Sequence, residues 1–590
     1  MSIVTQLQKS VLVSLTNLYN QPFTEKDFQI SQTKPEFEGN YTVVLFSLVK
    51  LLKKSPEALG EELGKDLTTR DASLFTKYNV IKGFLNLTIS DTYFTQFLQT
   101  NYSDIYFGQK EKNGKKVMIE YSSPNTNKPL HLGHLRNIFL GWSFAEITKA
   151  NGYEVIKSCI VNDRGIHICK SMIAWQLFAN GETPASANKK GDHFVGDYYV
   201  KFNDEYKRQI EELKATGIKQ EDAEKEAPIM KATQQMLLDW EEGKPDVITL
   251  WKEMNSWVYD GFDTTYTRIG SDFDKTYYES NTYLLGKDIV KDGLAKNIFF
   301  KKEDGSIWID LTADGLDEKL VQRKDGTSVY ITQDIGLALQ KYNEYKIDQS
   351  IYVIGNEQNY HMKVLKLICE KLGIPNAENI YHLSYGMVEL TTGKMKSREG
   401  TVVDADDILD EMIATSKQHT EELGKVKDFN EAELFDLYNT IGLGAIKFYL
   451  LRVDPKKTMI FNPTESIDFH GFTGPFIQYT HARIKSILRK SDITSFELND
   501  ALLPLEKELT IKLEQYPHCL EQAYQEHNPA VIANYIFELA KTFNSFYAEH
   551  SISNAESEQK KQLRLHLSVM VANILSSGMK LLGIRVPERM

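Results

Sequence analysis

Read for the spacing of apolar and polar positions, residues 1 to about 110 alternate helix-like stretches with one strand-like run, GFLNLTIS. The helix-like stretches are VTQLQKSVLVSLTNLY, NYTVVLFSLVKLLKK and PEALGEELGKDL, and the mixture predicts a small α+β unit. A polar, Gly-containing stretch, EKNGKK, then leads into VMIEYSS, whose apolar and β-branched run before Pro and Asn predicts a buried strand ending in a loop. Beyond the loop Leu135, Ile138, Phe139, Trp142 and Ala145 recur at helical spacing until Asn151-Gly152 supplies a stop, and EVIKSCIVND predicts a second strand. Strand, helix and strand within about 45 residues make a βαβ unit, so the strands are expected to be parallel with a right-handed crossover.

From about 176 to 255 the pattern turns charged and helix-prone (FNDEYKRQIEELKATG, EDAEKEAPIMKATQQMLLDWEEG), which predicts a helical insertion. SIWIDL, SVYITQD and SIYVIGNEQ predict the strands of the second half of the sheet; SIYVIGN is apolar throughout, as suits a strand covered on both faces. From about 430 helical periodicity takes over with no repeating unit. The chain therefore reads as multidomain α/β: an N-terminal α+β domain over 1–112, a parallel-sheet domain over 113–435 with the insertion, and an all-α bundle over 436–590.

The 590 residues suffice for about three to five compact units and exclude a single small binding module. No uncharged apolar run approaches the ~18–20 residues that span a bilayer, and MSIVTQLQKS lacks the parts of a signal peptide, so a cytoplasmic protein without a membrane partner is expected. Cys159, Cys169, Cys369 and Cys519 form no CxxC pair; no disulfide framework and no structural zinc are expected, and the thiols should be reduced and buried. A net charge of −12 argues against nucleic-acid binding by the whole surface, so any such partner needs a local basic face.

The common phosphate-loop, dinucleotide, zinc-protease and hydrolase signatures are absent. The first strand-to-helix turn, where an open parallel sheet binds its ligand, instead carries SSPNTNKPLHLGHLRN. Gly133 lets a flat base approach the backbone, and His131 and His134 at a helix N-terminus can stabilise phosphate charge; the competing reading is that the two histidines merely cap the helix. About 260 residues later stands a cationic loop between glycines, Gly393-Lys394-Met395-Lys396-Ser397-Arg398-Glu399-Gly400. Together HLGH and KMKSR resemble the paired HIGH and KMSKS signatures of class I aminoacyl-tRNA synthetases. IEYSSPNTNKPLHLGHLRN, VYITQDIGLAL, KMKSREGTVV, GPFIQYTHARIKSILRK and the terminal VPERM resemble the arginyl-tRNA synthetase family, from about residue 80 to the end.

The resemblance implies a Rossmann-like catalytic core, a tRNA-contacting N-terminal domain and an anticodon-binding C-terminal bundle. It implies that L-arginine and ATP, the latter with Mg2+ as substrate, form arginyl-adenylate, and that the arginyl group passes to the terminal ribose of tRNA(Arg). No bound organic cofactor and no protein-held metal are implied, and a monomer is the family expectation. Catalysis falls to His131, His134, Lys128 and Lys394; ATP binding to His131, Gly133, His134, Lys128, Met395, Lys396 and Ser397. Serine replaces the usual second lysine of KMSKS here; Lys128 is the family's substitute and Lys396 a competing candidate. A guanidinium fork demands carboxylates and fixed acceptors, and the resemblance supplies Glu120, Asn125, Tyr330, Asp334 and Gln358; Asp334 could equally cap a helix starting at Ile335. Such a pocket discriminates by roughly 10⁴-fold, so no editing site is expected and the insertion is given a structural role.

In the C-terminal region His481, Lys485 and Arg489 lie four apart on one helical face and are expected to supply the basic surface. Tyr479, Arg483 and Met590 are candidates to touch anticodon bases, and Phe84 and Asn86 to read a splayed D-loop base. Two other readings compete: a class I synthetase for another amino acid, cysteine or glutamine first, and a catalytically silent tRNA-binding relative.

Overall fold

The computed structural model describes residues 3–34, 36–390, 403–422, 428–495 and 501–590. Near the N-terminus α1 (Ile3–Tyr19) is followed by β1 (Gln29–Gln32), β2 (Tyr41–Val44), α2 (Phe46–Leu52), α3 (Pro56–Arg70), β3 (Phe75–Ile81), β4 (Phe84–Ile89) and α4 (Asp91–Asn101). The strands pair antiparallel in the order β1-β2-β4-β3, and Leu7, Val11 and Leu15 of α1 join Leu59, Leu63 and Leu67 of α3 and Leu85 and Leu87 of β4 in one core. NYTVVLFSLVKLLKK is strand β2 and then helix α2, not one helix: the β-branched Thr42-Val43-Val44 pairs with β4, and helical spacing begins only after it.

The next run is β5 (Lys116–Glu120), α5 (Leu132–Ala150) and β6 (Glu154–Val161), the expected βαβ unit. Between β6 and β7 (Lys275–Tyr278) come α6 (Ile166–Phe178), α7 (Gly191–Ala215), α8 (Gln220–Glu226), α9 (Pro228–Glu241) and α10 (Pro245–Ile269), which include the helical insertion. After α11 (Glu279–Thr282) and α12 (Gly286–Ala295), β8 (Phe300–Lys301), β9 (Ile307–Ile309) and β10 (Lys319–Gln322) form a separate antiparallel sheet. SIWIDL therefore lies outside the main sheet. SVYITQD is not a strand either: it opens helix α13 (Tyr330–Tyr345), because Ile331, Ile335 and Ala338 share one buried helical face. β11 (Gln349–Gly355), α14 (Asn359–Leu372) and β12 (Ile380–Tyr385) complete a parallel sheet ordered β12-β11-β5-β6-β7. The chain runs from β5 to β7 on one side and to β11 and β12 on the other, so the switch point lies between β5 and β11, with its crevice at their C-terminal ends.

β13 (Val388–Leu390) pairs with β14 (Met459–Phe461), and between them run α15 (Ala405–Glu422) and α16 (Glu431–Leu451). The remainder is helical: α17 (Pro463–Ser466), α18 (Gly474–Leu488), α19 (Pro504–Glu514), α20 (Tyr516–Gln525), α21 (Ala530–Glu549) and α22 (Glu558–Leu581). The four cysteines are free and buried. Among the described residues no helix is long and apolar enough to cross a membrane.

Candidate functional site

At the end of β5 the chain leaves the sheet through Ser122 and Ser123, both at positive φ, +76° and +46°. Asn137 of α5 fixes this turn: its Oδ1 accepts from the Ser122 amide at 2.5 Å, and its Nδ2 donates to the Val353 carbonyl of β11 at 2.7 Å. One residue earlier, buried Arg136 donates to the carbonyls of Gly386, Met387, Pro455 and Lys457. HLGHLRN thus locks α5 to the sheet on one side and to the chain after β12 on the other.

His131 is the N-cap of α5: its Nδ1 accepts from the Gly133 amide at 3.1 Å, while His134 Nδ1 accepts from the His131 amide at 3.1 Å. The rings lie 3.9 Å apart. Burial, with Lys128 nearby, pushes the His131 pKa down to about 3, and burial holds His134 well below its ordinary range. Both rings are therefore neutral, and since each Nδ1 is an acceptor, each carries its proton on Nε2. A Cβ on Gly133 would come within 3.0 Å of the His131 ring, so the glycine keeps that ring seated. Lys128, whose pKa burial lowers, lines a cavity of about 220 Å³ with His131, Lys189, His193 and Asp404.

Across the crevice Glu120 ends β5, buried, with Oε2 2.6 Å from the Nζ of a fully buried Lys341 on α13. That ammonium also lies 4.3 Å over the ring of Tyr352. Tyr330 and Asp334 are one turn apart on α13; Tyr330 is 75% exposed, and Asp334 Oδ2 is 2.6 Å from His361 Nε2 on α14. Asp334 does not cap a helix at Ile335, because α13 already begins at Tyr330 with Val329 as N-cap. Asn125 is exposed in the loop after β5, bridged to Asn162 after β6, and Gln358 is exposed on the turn Asn356–Gln358 that follows β11. The adjacent strands β5 and β11 thus bring Glu120 and Gln358 to one sheet edge. Sequence reasoning missed Lys341 and His361; His361 stands three residues after Gln358, but Lys341 has no local signal pointing to Glu120.

Lys394, Met395, Lys396 and Ser397 lie outside the described residues. The segment immediately after them is held directly on the HLGH turn: the Leu132 amide donates to Val403 O at 3.3 Å, the Ala405 amide to Leu130 O at 3.0 Å, and Asp404 bridges His131.

On β4 Phe84 stacks edge-on against Phe46 at 5.3 Å, and Asn86 is buried, accepting from Thr42 Oγ1 at 2.6 Å and donating to Asn79 Oδ1 at 2.8 Å. Its amide is committed within the sheet. On α18 the Arg483 guanidinium lies 4.8 Å over the Tyr479 ring, 5.9 Å from that of Tyr547, and donates to Asn544 Oδ1 at 2.9 Å. Tyr547, exposed on α21, is an aromatic neighbour that sequence spacing could not supply. The expected basic face of α18 is otherwise consumed. His481 is buried with Nδ1 3.0 Å from Pro587 O, Lys485 pairs with Glu588 at 3.2 Å, and Arg489 donates to Glu588 O at 2.8 Å. The stripe holds the C-terminal tail that carries Met590, with only His481 buried and Arg489 still exposed.

Three family models match the chain. One described as "Arginyl tRNA synthetase N terminal domain" covers residues 5–89, "tRNA synthetases class I (R), catalytic domain" covers 96–462, and "DALR anticodon binding domain" covers 477–590. The chain is 52% identical to the arginine–tRNA ligase of Flavobacterium psychrophilum and 51% identical to that of Bacteroides fragilis, with 100% of this chain and of each relative covered. Its fold is similar to the solved arginyl-tRNA synthetase of Thermus thermophilus, at 24% identity and TM-score 0.81 over 100% of both chains. It is also similar to that of Plasmodium falciparum, at 16% identity and TM-score 0.78 over 100% of this chain and 99% of the other.

Proposed function

The chain belongs to the arginyl-tRNA synthetase family, and on that premise we propose how its own residues carry the reaction. It is a class I synthetase that charges tRNA(Arg) with arginine using ATP. In the first step a carboxylate oxygen of arginine attacks the α-phosphate, the bond to the bridging oxygen breaks and pyrophosphate leaves. In the second, a hydroxyl of the terminal ribose attacks the adenylate carbonyl and AMP leaves. Neither step needs a covalent enzyme intermediate, so the protein contributes position and electrostatics.

His131 and His134 donate their Nε2–H groups to the phosphates as neutral hydrogen-bond donors. Lys128, beside His131 in the same cavity, supplies the positive charge that the second signature lacks, and contact with phosphate offsets the burial that lowers its pKa. Lys394, Met395, Lys396 and Ser397 complete the phosphate side, ATP arriving with Mg2+, and Gly133 leaves room for the base. Glu120 and Asp334 receive the guanidinium, with Asn125, Tyr330 and Gln358 fixing the rest of arginine. Tyr479, Arg483 and Met590 take anticodon bases, and Phe84 and Asn86 the D-loop; because Asn86 is hydrogen-bonded internally, that contact needs the Thr42–Asn86–Asn79 row to exchange partners. The same reading makes the chain a cytoplasmic monomer, which sedimentation and cell fractionation test.

The observation that carries this assignment is the reciprocal cap of the two histidines, which makes a pair of neutral donors at the N-terminus of α5. The test is ATP–pyrophosphate exchange with each of the twenty amino acids, with and without tRNA. Arginine alone is expected to support exchange, and only when tRNA is present. Exchange with another amino acid would overturn the pocket, and none under any condition would overturn the catalytic roles.

A further inference from the structure

The insertion enters the site through one helix. Gly196 of α7 faces Pro129, and a Cβ there would lie 2.8 Å from Pro129 Cδ, so α7 packs directly on the segment that carries Lys128 and leads to His131. From that helix His193 places Nε2 3.1 Å from Asp404 and 3.4 Å from Asp406, an ion pair without the alignment of a hydrogen bond. Lys190, one turn earlier, lies 2.7 Å from Asp406 and 3.0 Å from Asp192, and donates to Thr265 Oγ1 of α10. Arg268 of α10 adds a cation 3.6 Å from Asp406 and pairs with Asp410.

These carboxylates sit at a lever point. Asp404 and Asp406 stand at the start of α15, where the chain emerges from the second signature, and the backbone at 403–405 is bonded to Leu130 and Leu132 on either side of His131. Asp404 Oδ1 also accepts from the Asp406 amide at 2.7 Å, fixing the two acids relative to each other. The donor atoms of His193, Asp404 and Asp406 are close enough to hold a cation. Lys190 already contributes the charge a metal would bring, which makes the cluster a clamp between polypeptide segments.

We propose that His193 is a positioning residue for adenylate formation: from the insertion it clamps Asp404 and Asp406, and so holds the downstream anchor of the second signature against the HLGH turn. This rests on the functional reading above and gives the insertion a part in the first chemical step. The groups facing His193 are Lys189 and Lys190 just before α7, Asp192 and Asp197 on it, Asp404 and Asp406 at the start of α15, Arg268 on α10, and Lys128 and His131 across the cavity. The acids dominate, and they raise the His193 pKa to about 10 from an ordinary 6.5. A pKa raised in the folded state means that the clamp's contribution to stability is complete below about pH 6.5 and is lost as pH rises through about 10.

The experiment uses the full chain with tRNA present and compares His193→Ala, His193→Arg and Asp406→Asn in arginine-dependent pyrophosphate exchange. His193→Ala should lower kcat by about 10- to 100-fold, the scale of a misplaced catalytic segment, and leave the KM for arginine within about twofold. His193→Arg should recover most of the loss, and the His193→Ala/Asp406→Asn double variant should be no worse than the poorer single one. Wild-type kcat in His193→Ala, an effect confined to the KM for arginine, or additive losses would each overturn the clamp. Absent exchange in the wild type would overturn the functional reading instead. A second readout covers a loss of folding: the gap in Tm between wild type and His193→Gln should narrow as pH is raised from 6.5 to 10, and a gap that stays constant would overturn the proposal.

Discussion

His131 does two things with two nitrogens. Nδ1 closes the N-terminus of α5 and leaves Nε2 for the proposed phosphate contact, so the capping reading is shown and the proposed catalytic one is compatible with it on the same side chain. They can be separated. His131→Ala should cost about 1 kcal/mol of stability through the lost cap and lower kcat for exchange about 10²- to 10³-fold. His131→Asn restores a good capping oxygen without the distant donor, so denaturant unfolding should recover while kcat does not; an active Asn variant would remove Nε2 from the mechanism. Glu120 poses a different problem. Glu120, proposed to receive the guanidinium, is buried and already paired with the buried Lys341. Lys341→Met should destabilise the fold by roughly 3–5 kcal/mol by leaving Glu120 buried without its partner, with Lys341→Arg far milder; urea midpoints decide it, and a neutral effect of Lys341→Met would mean that the pair does not hold α13 to β5. The strand that Glu120 ends was legible from its apolar run before Pro and Asn, while Glu120 itself was named through the family resemblance. Lys341 was not, because it lies on another element, 221 residues further along the chain.

At the level of elements, the segment before α5 and the one before α15 compete to supply the missing phosphate cation. Lys128 lies in the described cavity beside His131, which favours it for the phosphate role. Lys128→Ala should therefore abolish most adenylation with Lys396→Ala tolerated, both read as kcat in pyrophosphate exchange; the reverse pattern would move the role to the second signature. Legibility followed the same division between local and distant causes. The β5–α5–β6 unit was readable because period and stop signals agree there. SVYITQD read as a strand because Val, Tyr, Ile and Thr favour pleated surfaces, whereas packing selected the helical face of Ile331, Ile335 and Ala338. The α18 stripe has the right spacing for a basic surface, yet its partners are in the last residues of the chain, which no periodicity places beside it.

For the whole molecule, the N-terminal domain and the helical C-terminal domain are far apart in sequence, and α19 joins them. Ile511 of α19 packs into the N-terminal core, Lys507 donates to Ile89 O at 3.0 Å and pairs with Asp91 at 2.8 Å, and Glu514 receives the Ile3 amide and, at 3.4 Å, the Tyr41 hydroxyl. Burial raises the Glu514 pKa to about 7 from an ordinary 4.5. The folded chain therefore holds that proton more tightly than the unfolded one, and stability falls as pH rises between about 4.5 and 7 and levels off above. Glu514→Gln keeps an acceptor for the Ile3 amide and cannot ionise. Its Tm should match wild type near pH 4.5, pull ahead as pH rises to about 7, and hold that lead at pH 8, with the kcat for charging unchanged because the site is untouched. A lead that shrank with rising pH would mean that Glu514 is ionised in the folded chain, and the junction would then be an ion pair rather than a neutral hydrogen-bonded one.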